Sequence, residues 1–265
     1  MTKFCPLVSG SSGNSIFIKT EGTKILIDAG VSGKKIQDCL KAIGEDCADI
    51  DAVFITHEHV DHIKAAGILS RRFNIPLYAT EGTWRAMDSL IGDVERKNRR
   101  IIYSGEKTSL NDMVLKPFSI PHDAAEPVGY SVFSDGIKMT VATDIGHVDD
   151  TIKEAVADSD ILLLEANHDV EMLKRGPYPY SLKQRILGLY GHMANNCAGG
   201  LIQEVFSGRM KHIFLGHLSA ENNTPQLAYN TVASILSQSN IEIGRDVNIE
   251  MAQRHCPSRA VEFQV

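Results

Sequence analysis

Cysteine is sparse in this chain of 265 residues, with five, at 5, 39, 47, 197 and 256. Their number is odd and no two form a CxxC pair, so a disulfide framework is not expected and a reduced, cytoplasmic setting fits best. No apolar run approaches the roughly 20 residues that cross a bilayer, so no membrane association is expected. Residues 1–6 lack the charged and apolar regions of a secretory signal. Positive charge is not in excess either: 27 Lys and Arg against 33 Asp and Glu leave a net charge of −6. That balance argues against a sequence-blind nucleic-acid binder, whose affinity rests on neutralising phosphates. It leaves room for an enzyme whose positive charge is concentrated in metal ions and a few local basic residues. Repeats, low-complexity tracts and a convincing linker are also missing, and a single domain over 1–265 is expected.

What is present is ordinary globular composition, 43% hydrophobic and 23% charged, enough for a sizeable core. Short β-branched runs open the chain at Leu7-Val8, Ser15–Ile18 and Lys24–Asp28, separated by Ser/Gly turns that predict antiparallel hairpins. The pattern then predicts helices over 34–43, 62–71 and 82–91 and strands over 51–55 and 76–80. A second strand-rich stretch covers 99–142, followed by helices to residue 238 around the buried runs Ile161–Leu164 and Ile213–Leu215. Two halves with the same progression predict two sheets packed face to face with helices outside.

The chemistry concentrates in His57-Glu58-His59-Val60-Asp61-His62, directly after the apolar run Ala52–Ile55. His57 and His59 alternate on an extended turn, while Asp61 and His62 open the next helix, so two ions could be served by one segment. Imidazole with carboxylate suits zinc, manganese or ferrous iron. A solvated loop that happens to be His-rich is the plain alternative, and five metal-competent groups in six positions speak against it. On alternation Glu58 points away from the metals and serves as a surface or loop-bracing group.

This HxHxDH segment resembles the signature of the metallo-β-lactamase superfamily, and further candidates follow in the family's order: His122 in SIPHDA, Asp144 in VATDIGH and His217 in IFLGHLS. Singly, these would read as a turn histidine, a helix N-cap and a loop histidine. The resemblance implies a four-layer αββα sandwich of two mixed sheets, with the site along one edge. It also implies that His57, His59 and His122 hold one divalent ion, that Asp61, His62 and His217 hold another, and that Asp144 bridges them. Zinc or manganese would fill the site, with iron a third option. Asp28 in LIDAG matches an aspartate that orients the ligand loop. A bridging carboxylate points to the phosphodiesterase branches, and His59, where redox di-iron relatives carry Glu, points to hydrolysis. His168 in NHD and His192 in GHMANN resemble the proton donor and phosphate-contacting histidine of relatives such as tRNase Z. The set SGSSGN, HEHVDH, PHDAAEPVGY, ATDIGH, NHD and LGHLSAENN is similar to the YycJ/WalJ branch, which is associated with exonuclease activity on DNA.

That resemblance implies a dinuclear phosphodiesterase, an exonuclease acting on DNA rather than RNA, in which hydroxide shared by the ions attacks phosphorus in line. Asp61 would orient the nucleophile, and His168 or His192 would protonate the leaving oxygen. The Ser/Gly loop could present Ser11, Ser12, Gly13 and Asn14 to phosphate, with Asn195 beside His192; a plain flexible hairpin is the alternative. One departure falls here: the chain reads Gly-His-Met-Ala-Asn at 191–195, where that branch has Gly-His-Leu-Ser-Asn. His147, His212 and His255 read as structural or surface groups, His147 being near enough to Asp144 to support it, and Cys197 as a small buried residue. Arg96–Arg100, Arg71-Arg72, Lys34-Lys35 and Lys174-Arg175 read as solvated faces, or else as a phosphate track. Tyr178-Pro179-Tyr180 reads as loop packing, or else as a base-stacking platform. Two other functions fit the same motifs: a hydrolase of a small cyclic phosphodiester, lactone or thioester, and a non-enzymatic metal-binding regulator. Oligomeric state is not legible.

Overall fold

The computed structural model describes residues 1–263. The first sheet is built from β1 (Thr2–Val8), β2 (Ser15–Lys19), β3 (Lys24–Ile27), β4 (Ala52–Phe54), β5 (Leu77–Ala79) and β6 (Arg99–Ile101). The second comprises β7 (Thr108–Leu110), β8 (Met113–Ser119), β9 (Val128–Ser134), β10 (Ile137–Ala142), β11 (Ile161–Glu165), β12 (His212–Gly216) and β13 (Asn248–Met251). Finally, β14 (Val261–Phe263) returns to the first sheet and pairs antiparallel with the outer side of β1. Each sheet thus has seven strands.

Both sheets obey one rule. β1–β2–β3 and β7–β8–β9–β10 pair antiparallel through short turns. From there each sheet continues in parallel, through β3–β4–β5–β6 and β10–β11–β12–β13. Parallel pairing needs helical crossovers, which cover the outer faces. On the first sheet these are α1 (Gly33–Ala42), α2 (Val60–Ile63), α3 (Ala66–Phe73) and α4 (Glu81–Ile91). On the second they are α5 (Asp150–Val156), α6 (Val170–Arg175), α7 (Tyr180–Leu187), α8 (Asn195–Val205) and α9 (Pro225–Gln238).

Three apolar layers follow. Phe4, Ile16, Ile27 and Phe54 of one sheet meet Leu115, Tyr130, Val132 and Phe214 of the other in the central layer. Ile36, Leu40, Leu69 and Trp84 pack the first sheet's helices, and Ile152, Leu201, Val232 and Leu236 those of the second. This is the αββα sandwich expected from sequence. Among the described residues no helix is long and apolar enough to cross a membrane.

Two local expectations change. The predicted helix over 62–71 is two: α2 ends at Ile63, Lys64 and Ala65 intervene, and α3 starts at Ala66. The bend lets the Ala65 N–H donate to the Ala29 carbonyl at 2.8 Å, tying the ligand loop to the end of β3. The edge strands β13 and β14 had no apolar run to announce them, because both are only half-buried or exposed at most positions.

Candidate metal centre

The cluster forms where strands of both sheets end. Asp28 follows β3, His57–His62 follow β4, His122 follows β8, Asp144 follows β10 and His217 follows β12. Asp28, Asp144 and His217 all have left-handed backbones, with φ of 64°, 64° and 54°. Such conformations are costly for non-glycine residues and persist where the surroundings hold them. At His217 the hold is visible: its N–H donates to Ser9 Oγ (2.9 Å) and its carbonyl accepts from Asn167 Nδ2 (2.9 Å).

The structure brings all seven sequence-predicted ligands together. His57, His59 and His122 each place a donor atom within 4.8 Å of the others, as do Asp61, His62 and His217. Asp144 joins both neighbourhoods, meeting His57 and His62 on one side and His217 on the other. Every member except His59 and Asp61 is at least nine-tenths buried. Behind them, Asp28 Oδ2 accepts from His62 Nδ1 at 2.7 Å and from Thr56 Oγ1 at 2.9 Å. Glu58 Oε1 accepts from the Ala125 N–H at 2.7 Å and so braces the His122 loop.

Burial and charge act against each other here. Burial and the surrounding imidazoles push the His57 pKa well below the usual histidine range. Burial also opposes charge on His217, but Asp144, Asp61 and Glu165 outweigh it and raise its pKa to about 10. Asp61 is driven below the carboxylate range by His217 and His62, against the effect of its own burial. Asp144 Oδ2 and His217 Nε2 are buried and have no hydrogen-bond partner. A buried orphan of this kind costs about 1–3 kcal/mol. A divalent cation among these oxygen and nitrogen donors supplies the missing partner, so the donor set fits metal.

One carboxylate escaped sequence reading. Glu165, the last residue of β11, is fully buried and accepts from His217 Nδ1 (2.8 Å), His192 Nδ1 (2.9 Å) and the N–H groups of Ile145 and Met193. Its position at the end of an otherwise apolar strand was the available signal.

Several expectations need correction. The Gly13 and Asn14 N–H groups are already bonded, to the carbonyls of Gly10 and Asp61, and the Asn14 side chain is buried against Gly10, Asp61 and His62. The loop therefore braces the metal ligands; of its members Ser11 lines the groove over them and exposed Ser12 does not. Asn195 is buried in a reciprocal amide pair with Asn223 (3.0 and 2.8 Å) rather than turned to an anion. His168 is 1% exposed, both ring nitrogens lack partners, and it lines neither the groove nor the cleft beside it. His147 Nδ1 donates to the Leu189 carbonyl, not to Asp144. Cys197 is exposed rather than buried. Of the basic clusters, Arg71 caps the carbonyls of Ile91 and Asp93 and Arg99 lies over Trp84, while Lys174 and Arg175 pair with Glu171 on an exposed face, as a solvated reading expects. The cation facing the groove is Arg185 of α7.

A sandwich of this build with a buried histidine–carboxylate cluster on its strand ends defines a class of metal-dependent hydrolases. The chain belongs to the β-lactamase superfamily, whose domain matches residues 23–213. It is 37% identical over 256 residues, 97% of both chains, to the exodeoxyribonuclease YycJ of Bacillus anthracis. It is 41% identical over 249 residues, 93% of both, to the exodeoxyribonuclease WalJ of Streptococcus pneumoniae strain D39. The metallo-β-lactamase fold protein YhfI of Bacillus subtilis superposes with a TM-score of 0.71 at 13% identity, covering 97% of this chain and 98% of that one, a likeness of fold.

Proposed function

We propose that this hydrolase is an exodeoxyribonuclease, carried by one metallo-β-lactamase-like domain over 1–265. The observation that carries the reading is a complete donor set with two orphaned buried atoms, Asp144 Oδ2 and His217 Nε2. It occurs in a chain that matches two exodeoxyribonucleases over nearly its whole length.

His57, His59 and His122 would hold one divalent cation and Asp61, His62 and His217 a second, with Asp144 between them; zinc or manganese suits these donors, and iron is a third option. Bound there, the cations would lower the pKa of water towards neutrality and neutralise charge growing on phosphoryl oxygens. The protein's own part is positional. Asp61, held ionised by His217 and His62, would orient the attacking water. His192 keeps Nδ1 on Glu165 Oε1, which leaves Nε2 to deliver a proton to the leaving oxygen. Burial works against charge on His192, but Glu165 and Asp144 raise its pKa and keep a proton available. The enclosed ring of His168 suits packing behind Glu165 and His192 better than donation.

The test is incubation of the metal-free protein, with manganese or zinc restored, on end-labelled single- and double-stranded DNA and RNA beside bis-p-nitrophenyl phosphate. Metal-dependent stepwise shortening of DNA is expected. Cleavage of the small diester alone would replace this reading with a small-phosphodiester hydrolase.

A further inference from the structure

The groove over the metal ligands continues past His192 into a cleft of about 170 Å³. Ser11, Arg185 and His192 stand in the walls of both. The two spaces differ in chemistry. The groove is walled mainly by carboxylates and imidazoles. The cleft takes Tyr178 from the segment before α7, Leu182 and Ile186 from its body, and Asn167 and Ser219 from the loops after β11 and β12. Leu182 and Ile186 are four apart and share a helix face, and half-buried Tyr178 extends that apolar wall. At the junction stands Arg185, among the described residues the one Arg or Lys lining either space. Its Nε is held by Asp123 Oδ2 at 2.5 Å, so the pair leaves its two terminal nitrogens free to meet an anion.

On the nuclease reading the groove takes the phosphate; with a cation at its end, then an aromatic and aliphatic wall facing an amide and a hydroxyl, the parts follow the order of a nucleotide. Bare phosphate would have no use for the apolar wall. We propose that the cleft receives the nucleoside joined to the phosphate under attack, its base against Tyr178 and its phosphate contacted by Arg185. This assignment rests on the nuclease reading and names what that site holds. It makes Tyr178 and Arg185 substrate-binding residues and gives the Tyr-Pro-Tyr segment a role beyond loop packing.

Calorimetric titration of the metal-loaded protein with deoxyadenosine monophosphate (5′ and 3′ forms) and with inorganic phosphate tests it without turnover. The better nucleotide should bind at least about tenfold tighter than phosphate, since one stacked base contributes about 1–3 kcal/mol. Tyr178→Ala should reduce that ratio about tenfold, Tyr178→Phe should keep it, and Arg185→Ala should weaken both ligands together. If Tyr178→Ala does not fold, Leu182→Ala reads the same ratio. Equal affinities for nucleotide and phosphate in the unaltered protein, or an unchanged ratio in the alanine variant, would overturn the assignment. DNA shortening is scored separately: DNA left intact while the nucleotide preference persists removes the nuclease reading and keeps the cleft, whereas DNA shortened without any preference removes the cleft alone.

Discussion

Asp28 donates no atom to the cluster, yet it decides how His62 enters it. With the His62 Nδ1 proton held on Asp28 Oδ2, Nε2 is the acceptor nitrogen; it takes a hydrogen bond from Asn14 Nδ2 at 3.1 Å and would turn its lone pair to a bound metal. In Asp28→Asn an amide N–H can face Nδ1 instead, and metal affinity should fall 10–100-fold; competition with a chromogenic chelator measures it, and unchanged affinity would contradict the orienting role. Glu165 does the same for His217 and His192 at once. Glu165→Gln should therefore lose both metal affinity and rate, where His192→Ala should keep the metals and lose rate alone. His59→Ala, which removes a ligand outright, should abolish turnover. His57, His59, Asp61 and His62 stood out because metal-competent groups crowd one short segment, whereas His122, Asp144 and His217 were placed by family resemblance. Glu165 did not stand out, because a single carboxylate closing Ile161-Leu162-Leu163-Leu164 reads as the edge of a buried strand until its distant partners are known. Arg185 was hidden for a related reason: one arginine on an amphipathic helix looks solvated, and only the fold sets it at the groove.

At the scale of elements, the loops are fitted closely. Gly30 lies where a Cβ would come within 1.6 Å of the Asp61 carbonyl oxygen, and its N–H donates to Asn14 while the Asn14 N–H donates to that same Asp61 carbonyl. Gly30→Ala should displace the ligand loop, lowering both metal content and melting temperature; normal metal content would show that the loop can give way. Helix α8 begins with Ala194 at its N-cap and no side-chain cap. The Ser expected at 194 from family resemblance would cap it, and Asn195, paired with Asn223, does not substitute. Ala194→Ser should stabilise the protein by about 1 kcal/mol, read from the midpoint of urea unfolding. The early strands and the buried β11 and β12 followed from apolar runs bounded by turn residues, and α1 and α4 from a helical repeat. The break between α2 and α3 did not, because an apolar stripe runs on through it and only the Ala65–Ala29 hydrogen bond interrupts the helix.

For the molecule as a whole, acid should act through more than the metal centre. His212, on β12 and packed at a tilt against Phe214, has its pKa lowered from 6.5 to about 4 by burial. Between those values the unfolded chain binds a proton that the folded chain refuses, so stability falls as pH drops from 6.5 to 4. His212→Gln should flatten that part of the stability-pH curve, measured by urea unfolding at several pH values; an identical slope would exclude His212 as the source. Removing metal should lower the melting temperature at neutral pH as well, because ligand loss withdraws the free energy of binding to the folded state.

The donors come from both sheets, His57–His62 from the first and His122, Asp144 and His217 from the second. A ribosome therefore delivers one half of the ion cage long before the other. While the second sheet is still unmade, the histidine loop has neither bridging aspartate nor final imidazole, and any ion it catches is held by an incomplete shell. The full donor set is present only after His217 has emerged and β12 has joined its sheet. The split placement of the donors thus makes the cluster a product of both sheets, complete only when the second has formed beside the first.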